Sequence, residues 1–222
     1  MSGTITALVV QQRNTDRVNV YLDGKFAFGL AAIEAVRLKR GQVLSDADIE
    51  RLQAADDVER AHEKALHFLS NRPRSEWEVR QNLQKAGYEA AAIERVLERL
   101  RGVGLVDDVA FARYWLDNRA QFRPKGALAL RQELRRKGVA REVIDAVLTE
   151  SEHADDAAAL HAALAQADRY RRLPRPEFAQ KLGAYLARRG FDYETVREAV
   201  NAAWQHLHAD EATASYFDEF EE

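Results

Sequence analysis

The segments Gln84-Lys85-Ala86-Gly87-Tyr88, Arg136-Lys137-Gly138-Val139 and Arg188-Arg189-Gly190-Phe191 carry one pattern three times, with their glycines 51 and 52 residues apart. In each, a cationic or small stretch runs into a glycine followed by an aromatic or aliphatic residue, and a leucine (Leu83, Leu134, Leu186) stands four residues before the glycine. Glycine just past a helix end adopts the left-handed conformation without steric cost. Cations oppose the negative end of the helix dipole, and the apolar residue that follows packs back on the last turn. The pattern predicts three helix stops within an internal repeat of about fifty residues.

Working outward, apolar residues return at helical spacing after each glycine: Ile93, Val96, Leu97 and Leu100; Val143, Ile144, Val147 and Leu148; Val196, Val200 and Trp204. A further helix precedes each pair, using Ala61, Ala65, Phe68 and Leu69 in the first unit, Phe111, Tyr114, Trp115 and Phe122 in the second, and Leu160, Leu164, Ala167 and Tyr170 in the third. Start signals stand where helices must begin: Ser75 with Glu78 as a capping box, Asp107-Asp108, and Pro176 in a first turn. The expected fold is mainly α, with three tandem three-helix repeats forming an elongated, curved solenoid because each unit touches mainly its neighbours.

The first fifty or so residues differ in texture. Ile5, Ala7 and Val9 alternate with polar neighbours, as do Val18, Val20 and Leu22, and Phe26 and Phe28 follow Asp23-Gly24. An Asp-Gly pair between alternating runs marks a type I′ hairpin, and a second link at Arg13-Asn14-Thr15-Asp16 completes a three-stranded meander. Ser45-Asp46-Ala47-Asp48 reads as the N-cap of a short helix running to about Ala55. The expected divisions are a β-rich module with short helices at 1–56, repeats at 57–107, 108–150 and 151–208, and an acidic tail at 209–222.

Composition narrows the function. The chain has 222 residues, 46% of them hydrophobic, which is enough for a sizeable core. Cysteine is absent, which removes disulfides, thiol catalysis and thiolate metal sites. No long apolar run and no leader-like N-terminus is present, so a cytoplasmic protein without membrane contact is expected.

The net charge of −3 conceals an uneven distribution. From Arg113 to Arg141, nine bases (Arg113, Arg119, Arg123, Lys125, Arg131, Arg135, Arg136, Lys137, Arg141) face two acids, Asp117 and Glu133, a local excess of +7. Arg131 and Arg135 share a helix face opposite Leu130 and Leu134. Smaller basic groups, Arg72 with Arg74 and Arg169, Arg171, Arg172 with Arg175, fall at the equivalent loop between first and second helices. A seven-charge imbalance is self-repulsive, and arginine's fork suits phosphate and carboxylate. The candidate contacts for a macromolecular partner are Arg72, Arg74, Arg113, Arg119, Arg123, Lys125, Arg131, Arg135, Arg136, Lys137, Arg171 and Arg172. Lys85, Arg188 and Arg189 are read as dipole-matching surface cations.

No catalytic or cofactor constellation emerges. His206 and His208 are two apart, His62 and His67 five, His153 and His161 eight, none of them the i, i+4 spacing of a helical ligand pair. Gly102-x-Gly104 is not followed by the Gly-Lys-Ser/Thr of a phosphate loop. Helical spacing marks Trp77, Trp115 and Trp204 as core anchors rather than base-stacking platforms.

Three stretches, Ala65-Leu66-His67-Phe68-Leu69-Ser70-Asn71-Arg72-Pro73-Arg74-Ser75-Glu76, Gly104-Leu105-Val106-Asp107-Asp108 with Phe111-Ala112, and Glu133-Leu134-Arg135-Arg136-Lys137-Gly138-Val139, together resemble the RecX family of bacterial RecA regulators. Tyr21-Leu22-Asp23-Gly24-Lys25-Phe26-Ala27-Phe28-Gly29 looks like the N-terminal extension of some members. The resemblance implies a non-enzymatic modulator of homologous recombination and DNA repair. Such a protein binds RecA, lodges in the groove of its filament on single-stranded DNA, suppresses ATPase and strand exchange, and limits filament growth. It also implies no cofactor, a monomer, and contact with single-stranded DNA and with double-stranded DNA as a further ligand.

Two other readings compete. A free-standing DNA-binding protein would use helix-turn-helix-like units with the Leu128–Lys137 helix as reader, although Gln132 is that helix's lone amide. A scaffold for another protein leaves the basic excess unused. The tail, with Asp210, Glu211, Asp218, Glu219, Glu221, Glu222 and the aromatics Tyr216, Phe217 and Phe220, is read either as a solubilising end or as a competitor for the basic side.

Overall fold

The computed structural model describes residues 2–150 and 152–218, with the side chains of 152–154 and 210–218 excepted. The side chains of His153 and of the acidic tail from Asp210 onward lie outside the described residues. The chain is mostly helical and divides into two compact units, one through Val106 and one from Asp107.

In the first unit, β1 (Gly3–Val10), β2 (Arg17–Leu22), β3 (Lys25–Ala31) and β4 (Val43–Leu44) form an antiparallel sheet of order β3-β2-β1-β4. The Asp23-Gly24 turn has positive φ at both residues, 48° and 81°, as a type I′ turn requires. The sheet has one strand more than the meander read from the sequence. β4 is two residues long and pairs with Gly3 and Thr4, too short to show alternation. Ile5, Val18, Val20, Leu22, Phe28 and Leu30 pack with Ala35 of α1 (Ala32–Ala35), Leu38 and Leu44.

α2 (Asp46–Leu69) corrects the expectation of a short helix ending near Ala55 and a separate one beginning later. Ser45 caps it in a reciprocal box with Asp48, and neither Gly nor Pro interrupts its 24 residues. Its first half packs Ile49 and Leu52 on the sheet, and its second half packs Ala61, Ala65, Phe68 and Leu69 into a helical core. Between them Asp56, 5% exposed, accepts hydrogen bonds from the Ala31 N–H at 2.7 Å and from Arg17 at 2.9 Å. A buried carboxylate is tolerated there because it is both paired and hydrogen-bonded. α3 (Glu76–Lys85) and α4 (Ala90–Gly102) complete the first three-helix core around Val79, Leu83, Ile93, Val96, Leu97 and Leu100.

The second unit contains α5 (Asp108–Phe122), α6 (Ala127–Arg136), α7 (Arg141–Glu150), α8 (Glu152–Ala167), a 3-10 turn at Asp168–Tyr170, α9 (Arg175–Arg188) and α10 (Tyr193–Asp218). Asp107 caps α5 by accepting from the Val109 and Ala110 N–H groups, and Pro176 lies in the first turn of α9. Phe111, Leu116, Leu130, Leu134, Ile144 and Val147 fill one core, and Phe178, Leu182, Leu186, Phe191, Val200 and a run of alanines the other.

The threefold pattern folds alike each time. Gly87, Gly138 and Gly190 have φ of 86°, 75° and 86°. The next residue's N–H reaches the leucine carbonyl four before the glycine: Tyr88 to Leu83 at 3.3 Å, Val139 to Leu134 at 3.2 Å and Phe191 to Leu186 at 3.4 Å. These are Schellman closures, and each leucine is fully buried.

Within the second unit, the α9 closure also caps α6. Gly126 N–H donates to the Arg189 carbonyl at 3.0 Å, Leu128 N–H to the Gly190 carbonyl at 3.3 Å, and Ala127 N–H to the Asp155 carboxylate at 2.9 Å, while Arg189 donates to the Pro124 carbonyl at 2.9 Å. Orphan N–H groups of one helix start thus meet orphan carbonyls of another helix end. The approach is so close that a Cβ on Gly126 would stand 2.3 Å from the Gly190 oxygen.

Gly126→Ala should therefore destabilise the second unit by about 1–3 kcal/mol through overpacking against backbone. Gly102→Ala, where a Cβ meets open space, should be neutral or stabilising by up to about 1 kcal/mol; urea unfolding of both variants checks the contrast. Asp155 offers a pH test. Burial first, then the neighbouring Asp192 and Asp156 charges, push its carboxyl above the usual range, against the lowering effect of the Ala127 N–H. A folded pKa above the unfolded one means that stability falls as pH rises through the folded value. Asp155→Asn, which keeps an acceptor for Ala127, should melt higher than the wild type at pH 7, with the gap closing on acidification. A lower melting temperature at pH 7 would reverse the assignment.

Candidate nucleic-acid interface

Helix α6 sorts its side chains by angle. Leu130 and Leu134 point into the core and are 5% and 0% exposed. Turning from them, Glu133 and Lys137 meet α5, Arg131 and Arg135 border α7, and Leu128, Gln132 and Arg136 are exposed. The basic excess read from the sequence is thereby divided among three different environments.

On the α5 side the cations are braces. Glu133 accepts from the Trp115 indole N–H at 2.8 Å, from Arg119 at 2.8 Å and from Lys125. Burial acts to raise its carboxyl pKa, but the donated bonds from Lys125, Arg119 and Trp115 together hold it below the usual value. Arg119 and Lys137 each lie 4.3 Å from the centre of the Trp115 ring, within cation–π range. Arg119, Lys125 and Lys137, expected as contacts for a partner, thus serve to fix the corner between α5 and α6.

On the α7 side lies an open cleft of about 680 Å³ lined by Arg131, Arg135, Arg141, Ile144, Asp145 and Thr149. Asp145 pairs with Arg131 at 3.0 Å and Arg141 at 3.3 Å. The Arg135 side chain is exposed and makes no hydrogen bond or ion pair among the described residues, and the same holds for the side chains of Arg123 and Arg136. Three guanidinium groups around one carboxylate leave a net positive cleft whose forks fit phosphate oxygens.

The remaining candidates separate in the same way. Arg72 donates to Glu78 at 2.9 Å and to the Pro73 carbonyl at 2.8 Å, and Arg74 stacks over Phe68 at 4.1 Å, so the first repeat's cations hold the α2–α3 corner. Arg113 pairs with Glu150 at 3.0 Å on the surface. Arg171 and Arg172, between α8 and α9, are exposed with no partner among the described residues.

The excess of +7 is smaller in the folded unit than in the sequence window. Residues 142–150 add Glu142, Asp145 and Glu150 with no base, which leaves 113–150 at +4, and two of those acids return to the arginines. Sequence reading also passed over Arg37, Lys39 and Arg40, three cations in four residues, all exposed and unpaired among the described residues. A shorter charge window would have found them.

Of the tryptophans, Trp204 packs edge-on to Phe178 at 5.0 Å as an anchor, and Trp115 supports the middle core. Trp77 is 44% exposed, contrary to expectation. It lies two residues from Val79, and about 200° of rotation carries it to the far face of α3. Among the described residues no group of His, Asp and Glu is arranged to hold a metal ion, and no helix is long and apolar enough to cross a membrane.

Comparison with known proteins finds matches along most of the chain. Family models match as the Regulatory protein RecX N-terminal domain at residues 3–45 and as the first, second and third RecX three-helix domains at 61–100, 107–148 and 154–200. Regulatory protein RecX of Listeria monocytogenes serovar 1/2a is 34% identical over 212 residues, covering 94% of this chain and 79% of that protein. The protein of the same name from Geobacillus thermodenitrificans is 31% identical over 219 residues, covering 96% and 81%. A crystal structure of regulatory protein RecX superposes with a TM-score of 0.74 at 30% identity over 90% of this chain and 99% of that one. RecX from Lactobacillus salivarius, at 21% identity and a TM-score of 0.61 over 67% of this chain and 97% of that one, shares the fold. With four domain models in order and relatives named as regulators, the chain belongs to the RecX family of regulatory proteins.

Proposed function

We propose that this protein is a non-enzymatic cytoplasmic modulator of RecA. It seats its basic side in the groove of the RecA filament on single-stranded DNA and restrains ATP hydrolysis, strand exchange and filament growth. The observation that carries this reading is the α6–α7 cleft with the Arg135 side chain unpaired among the described residues at its rim, the side chains of Arg123 and Arg136 being likewise unpaired elsewhere in the same repeat. Uncompensated arginines on a chain of net charge −3 mark where a polyanion gains most, because each phosphate neutralised releases counterions. Arg171 and Arg172 extend the same character to the third repeat.

A second reading, free-standing DNA recognition by α6, is favoured by the exposure of Gln132 beside Leu128 and Arg136, since an amide on an outward helix face can address a base edge. The two readings differ in what the protein does to RecA; they share Arg136, the first adding Arg123 and Arg135 and the second Gln132.

The test compares wild type with the triple variant Arg123→Glu, Arg135→Glu, Arg136→Glu, which disturbs no pair in the fold and should melt at the wild-type temperature. The wild type should inhibit RecA ATP hydrolysis on single-stranded DNA, and the variant should lose most of that inhibition. DNA binding by the wild type with RecA intact and uninhibited would favour the second reading. The slope of log affinity for single-stranded DNA against log salt should fall by about 2 in the variant, for three lost phosphate contacts at about 0.7 each. An unchanged slope removes these arginines from the interface.

A further inference from the structure

The loop that closes the N-terminal sheet offers a different surface from the arginine cleft. Between Ala35 and Leu44 it exposes Val36 (82%) and Val43 (71%), with Ile33 (63%) just before. Interleaved with these aliphatics stand Arg37, Lys39 and Arg40, exposed and unpaired among the described residues. Glu34 is the only acid from Ala32 to Ser45.

This loop is held. Ala35, Leu38 and Leu44 are buried in the sheet core. Gly41 N–H donates to the Ile5 carbonyl at 2.8 Å, Ile5 N–H donates to the Gln42 carbonyl at 2.8 Å, and the Gln42 side chain accepts from Lys39 N–H at 3.1 Å. Its cations and aliphatics are therefore presented on a backbone that needs little further ordering on binding, which lowers the entropic cost of association.

We propose that this loop is a protein-docking surface whose partner presents an apolar centre rimmed by carboxylates. The cations require an acidic partner by charge complementarity, and the aliphatics decide its class. A nucleic acid would satisfy Arg37, Lys39 and Arg40 but gives nothing to Ile33, Val36 and Val43, and the stretch from 32 to 45 has no aromatic residue on which a base would stack. A lipid surface calls for a long amphipathic helix, and α1 has four residues. Exposed aliphatics interleaved with unpaired like charges on one held segment match the composition of protein interfaces, where apolar contacts supply affinity and charges supply orientation and rate. Resting on the proposed function, the partner is the protein component of the filament, so the N-terminal module contacts protein while the arginine cleft contacts phosphate.

The experiment measures binding of the full-length chain to RecA assembled on single-stranded DNA, and separately to the same single-stranded oligonucleotide alone. Wild type is compared with Arg37→Glu, Lys39→Glu, Arg40→Glu in one variant and Val36→Ser, Val43→Ser in another. Both variants change only exposed side chains, and circular dichroism melting confirms that they fold. Each should bind the filament about tenfold or more weakly while retaining wild-type affinity for the oligonucleotide. Filament binding unchanged in both variants overturns the docking surface while the proposed function stands. A parallel loss on filament and oligonucleotide, confined to the charge variant, overturns it in favour of a phosphate contact. Failure of the wild type to bind the filament at all removes the proposed function and this surface together.

Discussion

The hydrogen bond from the residue after each repeat glycine to the leucine carbonyl four before it is the interaction on which the helical part of the fold depends. It turns the chain at a fixed angle, buries the leucine and stacks the following Tyr88, Val139 or Phe191 on it. Because backbone N–H groups satisfy the carbonyls at the helix end, the last-turn side chains that do not face the core are not needed to cap them. In α6 those side chains are Arg135 and Arg136, so the closure that forms the core also presents the cations. In α9 the same closure goes further and caps the start of α6, which makes two repeats one unit.

The cations illustrate how a fold converts a charge count into distinct roles. Arg119, Lys125 and Lys137 converge on Glu133 and Trp115, where partial burial strengthens each contact and the side chains serve packing as much as charge. Arg131 and Arg141 share Asp145. Arg123, Arg135 and Arg136 are left over, and an unpaired surface cation costs little in the free protein while remaining fully available to an anion. The arginines of the first repeat, placed equivalently in sequence, are tied to Glu78 and Phe68 instead. Equivalence of position in a repeat therefore did not carry equivalence of role, since one acid placed within reach decides it.

Much of this was legible in the residues because the decisive signals are local. Ser45, Ser75, Asp107, Asp23-Gly24 and the three repeat glycines each act within about five residues, and each does what its chemistry predicts. The continuity of α2 was not legible from its apolar pattern, because one helix without Gly or Pro serves two different cores, its first half facing the sheet and its second half the helices. Nor was the pairing of Arg113 and Arg131, whose acids lie beyond the basic window on α7. Trp77 departs from the helical-spacing reading because two residues, about 200° of rotation, separate it from the buried Val79. Local grammar gives elements, and side-chain pairing across elements needs coordinates.

Asp145 sets what the arginine cleft can take. Its carboxylate holds Arg131 and Arg141 in place, so an incoming phosphate first meets Arg135, which has no pair to break. To gain the other two forks it must compete with a carboxylate already at 3.0 and 3.3 Å. On the proposed function, a single small anion would gain about one charge-assisted contact there. On the same reading, a chain of phosphates would add contacts to Arg123 and Arg136 from one connected ligand, each further contact forming at high effective concentration rather than from solution. Given that function, such an arrangement would favour a polyanion over a single nucleotide through the number of contacts.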